Sequence, residues 1–258
     1  MQIVFVGAGR LATNLAVALH AKGHGIVQVY SRTMASAQQL SEKVGALPTT
    51  SIDALSHDAD AYIVAVKDAA LSALVPALVK GRHDACFFHT SGSMPMTVFQ
   101  GNACNYGVVY PMQTFSKERL VDFSNIPIFI EASNEATLEV ARGIAASVSC
   151  KVSQLPGEQR RQLHLAAVFA CNFVNHCYAL SADILRRNGL PFNVMLPLVQ
   201  ETARKVEEME PKDAQTGPAI RFDQNVIDAH LALLQDMPMA HDIYELMSKS
   251  INQLSKQP

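Results

Sequence analysis

The sequence predicts an α/β fold: a doubly wound parallel sheet over residues 1–155, followed by an all-helical region over 156–258. Three observations carry that expectation. Short apolar runs alternate with helical segments through the first half. A glycine-containing turn joins the first run to the first helix. Strand-like patterning then stops after Pro156 and Gly157.

The apolar runs at 2–6, 26–30, 61–66 and 85–89 are bounded by Gly, Asp or Ser and read as strands buried on both faces. Helical segments near 10–21, 34–44 and 68–80 separate them, the pattern of right-handed βαβ units. Runs at 107–110 and 126–130 extend the sheet, with a helix near 134–147 and a last strand near 150–155. From Glu158 onward only helical periodicity remains. A helix over about 159–187 stops at Asn188 and Gly189, and a second runs from about 191 to 209. Residues 210–222, with two prolines and a glycine, read as a loop, and helices near 223–236 and 239–255 complete the chain.

Composition narrows the class of protein. With 258 residues, 49% of them hydrophobic and 17% charged, the chain can bury the cores of two modest domains, which argues against disorder. A net charge of −2, with no basic stripe, gives no basis for a nucleic-acid partner. The five cysteines (86, 104, 150, 171 and 177) lack metal-ligand spacing and sit in apolar surroundings, so no metal site is expected and a reducing cytoplasm is. The first apolar run is too short for a secretion signal, and no run approaches the roughly 20 apolar residues of a membrane span, so no membrane partner is expected.

Gly7, Ala8, Gly9, Arg10, Leu11 and Ala12 spell a GxGxxA turn between the first strand and an amphipathic helix. Gly7 permits the tight turn, Gly9 lets the backbone approach a pyrophosphate, and Ala12 allows close helix packing. Unpaired N–H groups and the dipole at the helix start then hold the phosphates, which makes the first half a Rossmann-type dinucleotide-binding domain. About 20 residues on, where a carboxylate would bind the ribose 2′-hydroxyl of NAD, the chain reads Tyr30, Ser31, Arg32, Thr33. Ser31, Arg32 and Thr33 suit a 2′-phosphate instead, so NADP is the expected cofactor. Val66 and Lys67 stand at the end of the predicted strand 61–66, on the same edge, and are candidate cofactor neighbours.

Candidate chemistry follows the next two strands. Ser91, within His89-Thr90-Ser91-Gly92-Ser93, suits a nicotinamide amide or a substrate carboxylate, or else forms a plain serine turn. Gln113 and Thr114, after Tyr110-Pro111-Met112, are further polar candidates. On the long helix His164, Val168, Asn172 and His176 recur every four residues as one drifting stripe. His164 and Asn172 then stand roughly 12 Å apart along the axis, too far for one small substrate to touch both with ease. Asn172 is the residue chosen to face the nicotinamide. Thr216 and Arg221 are candidate anion contacts on the 210–222 loop, and Asp223 suits the cap of the next helix.

HTSGS, YPMQTFS, RRQLHLAAVFACNFVNH and QTGPAIRFD together make the chain similar to a bacterial family labelled NADP oxidoreductases, over nearly its whole length. Its N-terminal half resembles pyrroline-5-carboxylate reductase and the 6-phosphogluconate dehydrogenase-like enzymes. The resemblance implies a helical C-terminal domain, a homodimer formed through it, and closure of the loop holding Thr216 over the nicotinamide. Asn172 stands at the helix asparagine of the related dehydrogenases, and either His164 or a water supplies the proton, or the substrate is an imine needing less assistance. One departure stands out: where β-hydroxyacid dehydrogenases carry a lysine four residues before the helix asparagine, this chain has Val168. Two functions remain open on this basis. One is hydride transfer to or from a small, anionic metabolite, either an imine or a ketone/hydroxy acid. The other is a non-catalytic NADP-binding regulator.

Overall fold

The computed structural model describes residues 1–256. It divides into two compact units, Met1–Cys171 and a second beginning at Asn172.

The first unit is built on one eight-stranded sheet. Its elements are β1 (Gln2–Val6), α1 (Arg10–Ala21), β2 (Gly25–Tyr30), α2 (Met34–Val44), β3 (Leu47–Thr49), β4 (Ala61–Val64), α3 (Asp68–Val79), β5 (Cys86–His89), β6 (Asn105–Pro111), β7 (Ile128–Ala132), α4 (Glu135–Val148) and β8 (Val152–Gln154). The strand order is β3-β2-β1-β4-β5-β6-β7-β8, and the strands pair in parallel save for β6 with β7. The reversal has a simple cause: no crossover helix lies between β6 and β7, and a chain that returns directly can only pair antiparallel. The predicted parallel sheet is thus extended by an antiparallel step.

Alternation along the central strands supplies both faces of the core. Ile3 and Phe5 of β1 point into one apolar layer with Leu15 and Leu19 of α1 and Ile144 of α4. Val4 and Val6 point into the other, with Leu71, Val75 and Leu78 of α3. All four β1 side chains are fully buried, as expected of a strand covered on both faces. The strand β3 escaped the sequence reading because three residues carry no periodicity. Its Pro48 is tolerated because β3 lies at the sheet edge.

The long helix runs over Gly157–Arg187. Its parts are α5 (Gly157–Ala167), a π-helical segment Val168–Phe173, and α6 (Val174–Arg187). The predicted stripe is therefore interrupted at Val168: i→i+5 bonding advances each residue by a smaller angle than an α-helix does. The second unit then adds α7 (Leu196–Glu208), α8 (Pro218–Arg221), α9 (Gln224–Leu233) and α10 (Pro238–Ser255).

Four local expectations are corrected. Residues 210–222 are not all loop, since Pro218 at its first position starts the short α8. Asp223 takes the N-cap position of α9 by its backbone, but its side chain makes no capping bond. Cys104, Cys150 and Cys171 are exposed rather than packed as small hydrophobes. The Gly157–Arg187 helix is, by length and a mean hydropathy of 1.3 over its most apolar stretch, sufficient to cross a membrane. It also carries Arg160, Arg161, His164, Asn172, Asn175 and His176, and a single such helix is weak evidence of a span.

Candidate active site

The coenzyme turn is shaped by two contacts that exclude any side chain. Gly7 has φ +119°, and a Cβ there would lie 2.3 Å from the Ala65 carbonyl oxygen of the segment after β4. Only glycine fits on either ground. Gly9 is the N-cap of α1, and a Cβ built on it would meet nothing within 4 Å, so its open side faces free space. No side chain caps α1 and no acidic residue occupies its first turn, so its leading N–H groups and dipole are available to an anion.

This turn floors a cleft of about 490 Å³ at the carboxyl ends of β1, β2 and β4, where the strand order reverses. Gly7, Ala8, Gly9, Ser31, Arg32, Val66 and Lys67 line it, so the structure brings these seven predicted cofactor residues together. Ala70, Ala73 and Leu74 of α3 provide an apolar wall, while Ser36 and Lys117 complete the polar side. The lining includes three cations and no carboxylate. The cleft is thus locally cationic in a chain of net charge −2. The other four residues sit just outside it. Arg10 is exposed at the start of α1, Leu11 packs partly against the core, and Ala12 is fully buried. Thr33, the N-cap residue of α2, donates its hydroxyl to Ser36 Oγ at 2.9 Å.

A second polar cluster lies after β5 and β6, built around a buried guanidinium. Arg160 of α5 is 1% exposed; it pairs with Glu131 of β7 and donates to the Met94 carbonyl at 2.7 Å. The other Glu131 oxygen accepts from the Gly157 N–H at 3.0 Å, which anchors the first turn of α5. Losing the carboxylate would strand a buried charge, at a cost of about 3 kcal/mol or more. One turn further along α5, His164 shares the face of Arg160, and its Nδ1 lies 3.1 Å from the Tyr110 hydroxyl. Burial raises the pKa of that phenol above its ordinary value, with the Arg160 guanidinium opposing the shift. His164 also lies against Gly92, where a Cβ would come within 2.6 Å of the imidazole. That glycine is needed for close approach, not for its backbone conformation.

His89, at the end of β5, is fully buried, and its Nδ1 accepts from the Ser91 N–H at 3.1 Å. Burial first, then the nearby Arg160, lowers its pKa to about 4, so the ring is neutral at physiological pH. Ser91 Oγ accepts from the N–H groups of Ser93 and Met94 at 3.2 and 3.0 Å, the serine turn that its surroundings allowed. Asn172 and Thr216 belong to the second unit, where both are exposed. Tyr110, Arg160 and Glu131 were missed as functional candidates. The only sequence signal was the place of Tyr110 at the end of the apolar run 107–110.

Two family models match the chain: a Rossmann-like domain over residues 1–110 and a domain of unknown function, DUF2520, over 126–251. A protein of Bacteroides fragilis named as a putative NADP oxidoreductase is 55% identical, with 98% of each chain covered and a TM-score of 0.95. The chain belongs to this NADP oxidoreductase family. Its fold is shared more distantly. A reductive aminase from Aspergillus terreus, in complex with NADPH and ethyl levulinate, is 17% identical over 98% of this chain and 96% of its own, with a TM-score of 0.71. An imine reductase from Myxococcus stipitatus, in complex with NADP+, is 16% identical over 99% of this chain and 94% of its own, with a TM-score of 0.68. No curated protein matches the chain.

Proposed function

We propose that this NADP(H)-dependent oxidoreductase acts on a small, anionic imine or ketone/hydroxy acid, with residues 1–155 holding the coenzyme and 156–258 providing substrate contacts and a dimer interface. The observation that carries the coenzyme half of this reading is the cationic, carboxylate-free cleft over Gly7 and Gly9. NADP brings two anionic ends, and the cleft supplies N–H groups for one and Arg32 for the other. NADP-bound structures of the imine reductase and the reductive aminase support the same coenzyme.

In this reading Gly7, Ala8, Gly9, Arg10, Leu11 and Ala12 form the pyrophosphate turn, while Ser31, Arg32 and Thr33 meet the 2′-phosphate. Val66 and Lys67 border the cofactor along the segment after β4. When bound, the nicotinamide supplies or accepts the hydride. The protein's task is then to orient the substrate, exclude water and move one proton. Asn172, Ser91 and Thr216 are assigned to substrate and nicotinamide positioning.

His164 is assigned the proton, which resolves the absence of a lysine at Val168. A phenol kept protonated by burial can donate to Nδ1 at the observed 3.1 Å, which places the ring hydrogen on Nε2. Such a His164 presents an N–H to a substrate nitrogen or oxygen; as Nε2 gives up its proton Nδ1 takes the Tyr110 hydroxyl proton, and the Arg160 guanidinium stabilises the resulting phenolate until solvent reprotonates it. Exposed Leu165, Phe169, Phe173 and Ile184 along the long helix support a homodimer, since a second copy would remove that apolar surface from water. The free cysteines support a place in the reducing cytoplasm.

The test uses the full chain with NADPH and a panel of cyclic imines and 2-oxo acids. Turnover on one member is expected, and His164→Ala should lower kcat by about 100-fold or more without changing NADPH affinity. An unchanged kcat removes His164 from the chemistry. A chain that binds NADPH tightly but turns over none of the panel would favour the regulatory alternative.

A further inference from the structure

The loop between β6 and β7, residues 112–127, has no regular structure, yet it is tightly fixed. Asn14 of α1 is 2% exposed and holds it at two points, donating to the Ser116 carbonyl at 2.7 Å and accepting from the Val121 N–H at 3.0 Å. Phe115 stacks on Phe123 with ring centroids 5.7 Å apart, and Phe123 is 3% exposed in the core. These contacts present Lys117 to the coenzyme cleft, where it lines the same wall as Ser31, Arg32 and Ser36. Its Nζ donates to Gln39 Oε1 of α2 at 3.2 Å, a neutral partner that leaves the charge uncompensated. The Lys117 side chain is half-buried, so its field is less screened than that of an ordinary surface lysine.

We propose that Lys117 is a specificity-determining residue of the coenzyme site: with Arg32 it forms a two-cation clamp for the 2′-phosphate of NADP, delivered by a loop that no coenzyme fingerprint includes. This rests on the reading of the cleft as the coenzyme site. A 2′-phosphate carries nearly two negative charges, which one guanidinium does not neutralise. Arg32 offers a planar fork and Lys117 a point charge, so the two address different oxygens. A ribose 2′-hydroxyl, by contrast, carries no charge for either cation to meet. The same pair that attracts NADP therefore gives NAD no comparable gain, and discrimination is the difference between the two affinities.

The experiment titrates NADPH, NADH and 2′,5′-ADP into the full-length wild type and into Lys117→Gln, Lys117→Arg and Arg32→Gln. Lys117→Gln should weaken NADPH and 2′,5′-ADP by about tenfold or more while leaving NADH unchanged. Lys117→Arg should restore most of the loss, and the dependence of NADPH binding on salt should be shallower in Lys117→Gln. Retained NADH affinity confirms that the variants are folded. If Arg32→Gln loses NADPH but Lys117→Gln does not, the proposal for Lys117 is overturned and the cleft reading stands. If neither variant changes NADPH affinity, both are overturned. An equal loss of NADPH and NADH in Lys117→Gln would assign Lys117 to general coenzyme binding and overturn its role in discrimination.

Discussion

The two units differ in how completely each buries its own apolar surface. In the first, β1 is fully buried from Ile3 through Val6, and layers of aliphatic and aromatic side chains fill both faces of the sheet. In the second, Leu198, Leu233, Met239 and Leu246 are between 59% and 82% exposed. The first unit can support a preorganised phosphate site because its turn is locked between β1 and the segment after β4, with nothing left to adjust. The second keeps large apolar side chains in water. Rigidity and incompleteness thus fall in different parts of one chain.

Three measurements would break or sharpen this contrast, and Gly7→Ala should have the largest effect. Its Cβ meets a backbone oxygen, so several kcal/mol of stability and nearly all NADPH affinity should disappear together. Thermal unfolding and coenzyme titration would read both. A variant that still bound NADPH normally would show that the turn is softer than its geometry indicates.

The next effect is a pH dependence confined to the first unit. The His89 pKa is lowered on folding from 6.5 to about 4, so the folded state favours the neutral ring. Its contribution is complete above pH 6.5 and is lost as the pH falls towards 4, where the unfolded chain takes up a proton that the folded chain refuses. Stability should fall over that window by on the order of 2–3 kcal/mol more in the wild type than in His89→Asn, which keeps an acceptor for the Ser91 N–H. Denaturant unfolding at pH 7 and pH 4.5 would measure the difference. Equal pH slopes would mean that the imidazole is solvated in solution.

The smallest effect on folding, yet the most informative for the second unit, comes from Leu246→Lys. At 70% exposure the substitution should change the stability of an isolated chain by about 0.5 kcal/mol or less. If that face is covered by a second copy, sedimentation should instead show a shift from dimer to monomer, and the melting temperature should become dependent on protein concentration. An unchanged sedimentation profile would mean that no second copy covers this face.

Much of the coenzyme site was legible because its information is local. Gly7, Gly9, Ser31 and Arg32 lie within one βαβ unit, and hydrophobic period and glycine placement mark such a unit. Lys67 followed from knowing which end of β4 faces the crevice. Lys117 had no such marker, since its place depends on Asn14 holding a loop more than 100 residues away in sequence. The hydrogen-bonded pair His164 and Tyr110 shows the same limit. His164 was singled out by helical spacing, but Tyr110 stood 54 residues earlier on a strand, and no periodicity links the two. The π-helical segment over Val168–Phe173 was equally invisible, because its residues have ordinary helix patterning.

What the sequence alone determined is the set of elements, the order of most of them and the phosphate turn, each written in neighbouring residues through period, cap and glycine chemistry. What only the tertiary structure decided is which distant side chains share a cleft. Lys117 beside Arg32, His164 against Tyr110 and Gly92, and Arg160 between Glu131 and Met94 are all long-range pairings. Such meetings are set by how the buried faces of strands and helices pack. That packing depends on the whole core at once rather than on any one segment of the chain.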